Sequence, residues 1–100
     1  MVKDFLKDLD KAFENKIRLG IMSALMVNDQ LDFNTLKDLL GVTDGNLASH
    51  LKSLEKSEYV SFSKSFLERK PNTSYAATTK GKKAFRKHIG AIEKLLQENK

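Results

Sequence analysis

Residues 43–55 read TDGNLASHLKSLE, and their pattern organises the rest of this 100-residue chain. At 100° per residue, Leu47, Leu51 and Leu54 fall on one narrow stripe, which is typical of a helix packed on a core. The opposite face is small, hydrogen-bonding or cationic and contains no acidic residue: Gly45, Asn46, Ser49, Lys52, Ser53 and Lys56. A helix surface that serves only solubility usually mixes both charge signs. This face therefore indicates contact with an anionic partner.

An apolar-patterned helix precedes this stretch and ends at Leu39-Leu40-Gly41, with Val42 and Thr43 as a tight link. A helix, a short glycine-containing turn and a second helix form the helix-turn-helix arrangement, whose second helix enters the major groove of DNA. Asn46 and Ser49 suit base edges. Gly45 suits either the close approach of a phosphate to the start of the helix or a simple transition from loop to helix. The sequence thus predicts DNA contact from Thr43, Asp44, Gly45, Asn46, Ser49, His50, Lys52, Ser53 and Lys56.

The composition limits the class of protein. With 40% hydrophobic residues the chain is globular, and its length predicts one domain over residues 1–100. The absence of cysteine excludes disulfides and thiolate metal sites. No run of 18 apolar residues and no signal-peptide pattern is present, so we expect a cytoplasmic protein without a membrane partner.

The positive charge is concentrated in one third of the chain. Residues 1–51 carry −2, residues 52–87 carry +7, and residues 88–100 are neutral, for a net charge of +5. A localised basic region is the electrostatic footprint of a nucleic-acid surface, although an ordinary solvated basic face remains the alternative.

The first half of the chain is helical in its apolar spacing. Helices are predicted over about 2–13 and 15–27, the second apolar around most of its girth, followed by a short strand at 31–33. Asn34 is the expected N-cap of a helix over 35–40, and Gly41 suits its C′ position. Thr43 or Asp44 can cap the helix that follows.

From Tyr59 the period changes from 3.6 to 2. Val60, Phe62 and Phe66 alternate with serines, which predicts a half-buried strand, and residues 73–77 form a second strand with Tyr75 and Ala77 inward. The tip between them, residues 68–72, presents Arg69 and Lys70 for the DNA backbone or minor groove. Thr78, or alternatively Thr79, caps a last helix that runs to about Gln97.

The element order predicts a mainly α (α+β) fold, a winged helix-turn-helix with a two-stranded β wing and helical N- and C-terminal extensions. The helix-turn-helix covers about 34–57, the wing about 59–78, and the terminal helices about 2–13 and 79–97. The terminal helices carry more apolar residues than one small core can cover. A two-fold dimer interface is therefore predicted from Phe5, Leu6, Leu9, Phe85, Ile89, Ile92, Leu95 and Leu96.

Two features allow more than one interpretation. The cations at the start of the last helix, Lys80, Lys82, Lys83, Arg86 and Lys87, oppose the helix dipole and suit either flanking phosphates or the acidic first helix (Asp4, Asp8, Asp10) at a dimer contact, the second being slightly favoured. His50 is expected to be half-buried packing or a phosphate neighbour, and neither it nor His88 has the spacing of a metal site.

Three strings resemble the MarR/ArsR-type winged-helix transcription regulators, and most closely the short single-domain branch called the winged helix DNA-binding domain family. TDGNLASHLKSLE is similar to the recognition helix, KSFLERKPNTSYAATTKG to the wing and the start of the last helix, and NKIRLGIMSAL to the helix before the helix-turn-helix. The resemblance implies a homodimeric, sequence-specific regulator, usually a repressor, that dimerises through its terminal helices. Its site would be near-palindromic.

The chain departs from this family at two positions where glycine is usual. Glu58 follows the recognition helix and must either adopt the left-handed region, at about 1 kcal/mol, or shift the cap. Glu68 places an acidic group in the wing.

Other functions are weakly supported by the sequence. It has no phosphate loop and no nucleophile–base constellation, so no enzyme and no cofactor are predicted, and a small-molecule effector is left open. The alternative is a winged-helix protein–protein interaction module without sequence-specific DNA binding. That alternative would need an apolar or acidic recognition face.

Overall fold

The computed structural model describes residues 2–98, without the side chains of residues 2–4, 67 and 98. Its helices are α1 (Val2–Asp8), α2 (Lys16–Met26), α3 (Phe33–Leu40), α4 (Asp44–Lys56) and α5 (Thr79–Glu98), with a 3-10 turn at Lys11–Phe13. The strands β1 (Leu31–Asp32), β2 (Val60–Leu67) and β3 (Lys70–Ala77) form an antiparallel sheet in the order β1-β3-β2. The predicted helical fold with a β wing is confirmed.

The core lies between α2, α3, α4 and the base of the hairpin. The stripe of Leu47, Leu51 and Leu54 is at most 1% exposed, as predicted. It packs with the apolar side of α2 and with side chains from α3, β2 and α5: Ile21, Met22, Leu25, Leu36, Val60 and Phe85. α2 contributes three of these buried residues and is the central helix of the core. None of the helices in the described residues is long and apolar enough to cross a membrane.

The predicted continuous helix over 2–13 is wrong, because Asp10 interrupts it. Asp10 has an extended backbone, and its carboxylate accepts a hydrogen bond from the Ala12 N–H at 2.9 Å. It thereby caps the separate 3-10 turn, which ends in the buried side chain of Phe13. A short aspartate side chain competes with the helix for backbone donors, which explains the break.

The caps around the helix-turn-helix follow the sequence in part. The predicted N-cap Asn34 is wrong, since Asp32 caps α3 two residues earlier with an Oδ1 to Thr35 N distance of 2.7 Å. This hydrogen bond lowers the pKa of the Asp32 carboxyl. Gly41 adopts the expected left-handed backbone (φ 62°), and Thr43 rather than Asp44 caps α4.

The hairpin is longer than predicted. β2 and β3 pair from Val60↔Ala77 to Leu67↔Lys70, so residues 70–72 belong to a strand and only Glu68 and Arg69 form the turn. Both have positive φ (52° and 69°), as in type I′ turns, whose twist matches that of paired strands. The prediction of a half-buried β2 is wrong beyond Val60, because Phe62 is 51% and Phe66 79% exposed.

A polar network joins the N-terminal segment to α5 and to the base of the wing. The Tyr59 hydroxyl donates to Asp10 Oδ2 at 2.5 Å, which raises the pKa of Tyr59 to about 12. The Asp10 N–H donates to Nδ1 of His88, at 3.0 Å, and His88 is 4% exposed. Thr78 caps α5 through the Gly81 N–H and also donates to the Glu58 carbonyl, so the predicted Thr78 cap is confirmed.

We expect Glu58→Gly to raise the free energy of unfolding by up to about 1 kcal/mol. Glu58 adopts φ 63°, a region that costs a side-chain-bearing residue about 1–2 kcal/mol, partly offset by the greater chain entropy of unfolded glycine. The matched control is Ser57→Gly, because Ser57 has φ −79° and gains nothing from glycine. Urea unfolding of both variants measures the difference. A loss of stability in Glu58→Gly equal to that in Ser57→Gly would contradict this account.

Candidate nucleic-acid interface

The outward face of α4 is open along its whole length. Its predicted contact residues Gly45, Asn46, Ser49, Lys52, Ser53 and Lys56 are all exposed. The buried leucine stripe on the opposite side sets this orientation, because a helix that buries one side must present the other. The result is a polar ridge with two lysines and no carboxylate.

The N-terminal end of α4 is capped and its acidic residue is neutralised. The Thr43 hydroxyl accepts from the Asn46 N–H at 3.2 Å. Asp44 pairs with Lys37 of α3 at 2.8 Å, and this contact raises the pKa of Lys37. The Asp44 carboxylate is therefore turned toward α3, which reduces its repulsion of an approaching phosphate.

His50 is half-buried on one flank of α4, as its position on the helix indicated. Its Nδ1 lies 3.1 Å from Nη1 of Arg18 in α2. Arg18 is also fixed through its Nε, which donates to the Ala12 carbonyl at 2.7 Å. A contact between residues 32 positions apart has no signature in the periodicity of either helix.

The wing carries its cations at the end that is farthest from the core. Arg69 occupies the two-residue turn and Lys70 begins β3, and both are exposed. Eight residue pairs extend the hairpin from Val60 outward, a length of about 25 Å at the usual rise per strand residue. Lys64 on β2 adds a third exposed cation that the sequence analysis did not select.

The basic start of α5 is partly satisfied within the chain itself. Lys87 pairs with Asp8 of α1 at 3.8 Å, and the Lys80 ammonium lies 5.9 Å from the centre of the Tyr59 ring. The acidic first helix and the basic last helix thus meet within one chain. Of the other carboxylates considered for this pairing, Asp10 bonds Tyr59 instead, and the Asp4 side chain lies outside the described residues.

The residues predicted for the dimer interface differ in exposure. Leu6, Ile92 and Leu96 are 59%, 36% and 66% exposed. Phe5, Leu9, Ile89 and Leu95 are half-buried. Phe85 packs in the core of its own chain, with its ring edge-on to Phe13 at 5.3 Å between centroids. The exposed members lie on α1 and on the C-terminal half of α5.

Neither histidine lies in a metal-binding cluster. His88 packs against Phe13 and accepts from Asp10, while His50 faces Arg18. Within residues 2–98, as far as side chains are described, no group of three or more His, Asp or Glu residues is placed to hold a metal ion.

The helix α4 is capped and has a polar, cationic outer face. It is packed behind a second helix and is followed by a basic hairpin. This arrangement defines a DNA-binding regulator of the helix-turn-helix class. The chain belongs to the winged helix DNA-binding domain family, which it matches over residues 17–96. Family and fold are those of transcriptional regulators rather than of enzymes.

The chain is also similar to individual proteins. The chain is 38% identical over 85 residues to the uncharacterized protein MJ0432 of Methanocaldococcus jannaschii, covering 85% of this chain and 92% of the relative. It is similar in structure to a transcriptional regulator homologue from Pyrococcus horikoshii OT3, with a TM-score of 0.85, 27% identity and coverage of 97% and 94% of the two chains. HlyU from Vibrio cholerae gives a TM-score of 0.66 at 25% identity, over 84% and 87% of the two chains.

Two cations beside α4 were missed by the sequence analysis. Lys16 borders a groove with Thr43 and Asn46, and Arg18 contacts His50. A signal was present: both residues lie in the first turn of α2, where cations oppose the helix dipole and no acidic residue balances them.

We expect Gly45→Ala to stabilise the free protein and to weaken its binding to DNA. A Cβ added at Gly45 meets nothing within 4 Å in the described chain, and alanine in place of glycine stabilises a helix by up to about 1 kcal/mol. The same methyl group would obstruct a phosphate or base edge that approaches the helix closely.

The matched control is Gly90→Ala, which also has open space around it but lies on α5. Thermal unfolding and fluorescence anisotropy with duplex DNA measure the two effects. If Gly45→Ala raised the melting temperature and left DNA affinity equal to that of Gly90→Ala, close approach at Gly45 would be wrong.

Proposed function

We propose that this protein is a sequence-specific DNA-binding transcriptional regulator, a repressor that occupies a near-palindromic operator as a homodimer. The observation that carries the proposal is the outward face of α4, which is exposed, hydrogen-bonding and cationic. In this proposal α4 lies in the major groove and the wing residues Arg69 and Lys70 contact the flanking backbone or minor groove.

Base reading is assigned to the N-terminal half of α4. Asn46 and Ser49 are exposed, and neither side chain packs in the core. An asparagine amide can bond adenine N6 and N7 together, and a serine hydroxyl can serve either as donor or as acceptor. Lys52 and Lys56 lie about one and two turns after Ser49, where they suit phosphates.

Dimerisation is supported by the shape of the chain and by its uncovered apolar side chains. The radius of gyration is 15.1 Å, against about 13 Å for a typical domain of this length. Leu6, Ile92 and Leu96 remain exposed on α1 and α5 although α1 packs on α5. A two-fold axis beside these helices would bury the same surface on both subunits.

An alternative function, a winged-helix protein–protein interaction module, is favoured by one observation. Phe62 and Phe66 are exposed on one face of the wing, where a partner protein could cover them. The outward face of α4 carries neither an apolar nor an acidic patch, so DNA remains the preferred partner.

We expect Asn46→Ala to cost about 1–3 kcal/mol on a selected site and to relax discrimination at one base pair in each half-site. The fold should be unchanged, because Asn46 is exposed. The experiment selects a site from random DNA with the wild-type protein. It then measures wild type and variant against every single-base change of that site.

Binding to unrelated DNA should hardly change in this variant, because the phosphate contacts remain. An equal loss on every sequence, or no loss, would contradict base reading by Asn46. Failure of the wild-type protein to bind any duplex would favour the protein-interaction alternative.

We expect the double variant Ile92→Lys, Leu96→Lys to be monomeric at concentrations at which the wild-type protein is a dimer. Two charges per subunit in an apolar two-fold interface are doubled by symmetry and face each other. Analytical ultracentrifugation gives the answer. The control is Val27→Lys, Leu39→Lys, which alters two exposed apolar residues outside α1 and α5 (81% and 61% exposed). A wild-type monomer at micromolar concentration would refute the dimer.

A further inference from the structure

Two open cavities, here together called the flank groove, lie along one side of α4, next to residues 10–18, which lead into and begin α2. The walls of the first cavity, of about 470 Å³, include Lys16, Thr43 and Asn46. The second cavity, of about 350 Å³, is bordered by Lys11, Arg18, Ser53 and Ser57. Along α4, the contact between Arg18 and His50 lies between the two cavities, because His50 lies one turn after Asn46 and one turn before Ser53.

The Arg18 guanidinium determines which nitrogen of His50 carries the proton. A guanidinium has only donors and stays charged, so Nδ1 of His50 at 3.1 Å from Nη1 must act as the acceptor. The neutral ring then carries its proton on Nε2. Arg18 is held in place by its second bond, from Nε to the Ala12 carbonyl at 2.7 Å.

The Nε2–H of His50 is available to an external acceptor. No side-chain nitrogen or oxygen that is buried in the described residues lacks a hydrogen-bond partner. The hydrogen bond recorded for His50 in the described residues is the one at Nδ1, so Nε2 is not fully buried. His50 lies on the flank of α4, about 100° around the helix from Ser49, and therefore faces the side of the DNA groove rather than its floor.

The charges around the flank groove favour an anion. Lys16 and Arg18 lie in the first turn of α2, which has no acidic residue. Asp10, the carboxylate that borders the groove, already accepts from the Ala12 N–H and from the Tyr59 hydroxyl. The Asp10 carboxylate therefore already accepts two hydrogen bonds within the protein, whereas Lys16 and Arg18 retain N–H donors for an anion.

We propose that the flank groove binds a backbone phosphate of the DNA, with Lys16 pairing with its charge and Arg18 acting as a positioning residue that presents the Nε2–H of His50 to a phosphate oxygen. The inference rests on the proposed function and adds the N-terminal turn of α2 to the binding surface. It assigns this turn the sequence-independent part of recognition, while Asn46 reads the base edges.

The tautomer of His50 is the first test, and it needs no DNA. Ring ¹⁵N spectra of the wild-type protein should show the Nε2–H form of His50 with Nδ1 accepting a hydrogen bond, and Arg18→Lys should weaken this preference. The Nε2–H signal should shift on addition of a mixed-sequence duplex of about three helical turns. An Nδ1–H form in the free protein, or an unchanged ring signal on DNA binding, would overturn the proposal.

Binding to the same duplex separates the roles of the residues. We expect His50→Asn to lose about tenfold in affinity, because its amide lies near the Nδ1 position, whereas His50→Gln, which places a donor near Nε2, keeps most of it. Arg18→Lys should lose a similar factor. The double variant Arg18→Lys, His50→Asn should lose no more than the larger single loss, since the two residues act on one contact.

Lys16 is tested by the salt dependence of binding. Lys16→Ala should reduce the slope of log K against log salt by about 1 per subunit, whereas His50→Asn, which removes no charge, should leave the slope unchanged. Lys94→Ala is the matched control, because it removes an exposed lysine from α5. Circular dichroism checks that each variant is folded. If Arg18→Lys does not fold, the comparison of His50→Gln with His50→Asn still tests the contact.

The outcomes distinguish this inference from the proposed function. If the wild-type protein bound no duplex, both would fail. The wild-type protein could instead bind DNA with an affinity that falls steeply with salt, while His50→Asn and Lys16→Ala had the same affinity and salt dependence as Lys94→Ala. That result would exclude the flank groove as a phosphate site and leave the proposed function intact.

Discussion

The burial of three leucines on one side of α4 is the constraint on which the rest of the structure depends. Leu47, Leu51 and Leu54 are at most 1% exposed, and truncating one such residue to alanine costs about 2–5 kcal/mol. Rotating α4 by a single residue would bring Lys52, or in the opposite sense Ser53, toward the core and would turn the leucines outward. The orientation that stabilises the fold is thus the one that exposes the polar face, so one interaction determines both packing and the surface offered to DNA.

Features that repeat along the chain were predictable from the sequence, whereas features decided by local competition were not. The stripe of leucines, the helical spacing of α2 and α5 and the period of two in β2 each repeat several times, so a single exception does not hide them. The helix break at Asp10 and the cap of α3 at Asp32 depend on one side chain each. Asp32 and Asn34 are both good N-caps by residue type, and the sequence does not show which one the chain uses.

The candidate site shows the same division. The outward face of α4 and the cationic wing were predicted from spacing and charge alone. The contact of Arg18 with His50 was not, because it joins two helices whose relative rotation depends on the whole core. Phe62 and Phe66 were misplaced for a related reason: the alternation of a strand indicates which residues share a face, but not whether another layer covers it. The turn at Glu68 and Arg69 lacks the glycine that would have marked it.

The positions that break local rules are concentrated at the ends of elements around the proposed DNA surface. Gly45 weakens the first turn of α4, Lys16 and Arg18 oppose the dipole of α2, and two residues without glycine's freedom form the wing turn. The core and the caps at Asn15, Thr43 and Thr78 follow the rules closely. Such a distribution is expected where a stable scaffold carries a functional surface.

These local conflicts are unfavourable only in the protein without DNA. A phosphate placed beside the first turn of α2 would compensate the cations there and would itself be stabilised by the helix dipole. The same negative charge would pair with the cations of the wing. These residues therefore lower the stability of the free chain and add to the free energy of binding when a polyanion is present. This relation links the local sequence conflicts to the proposed function.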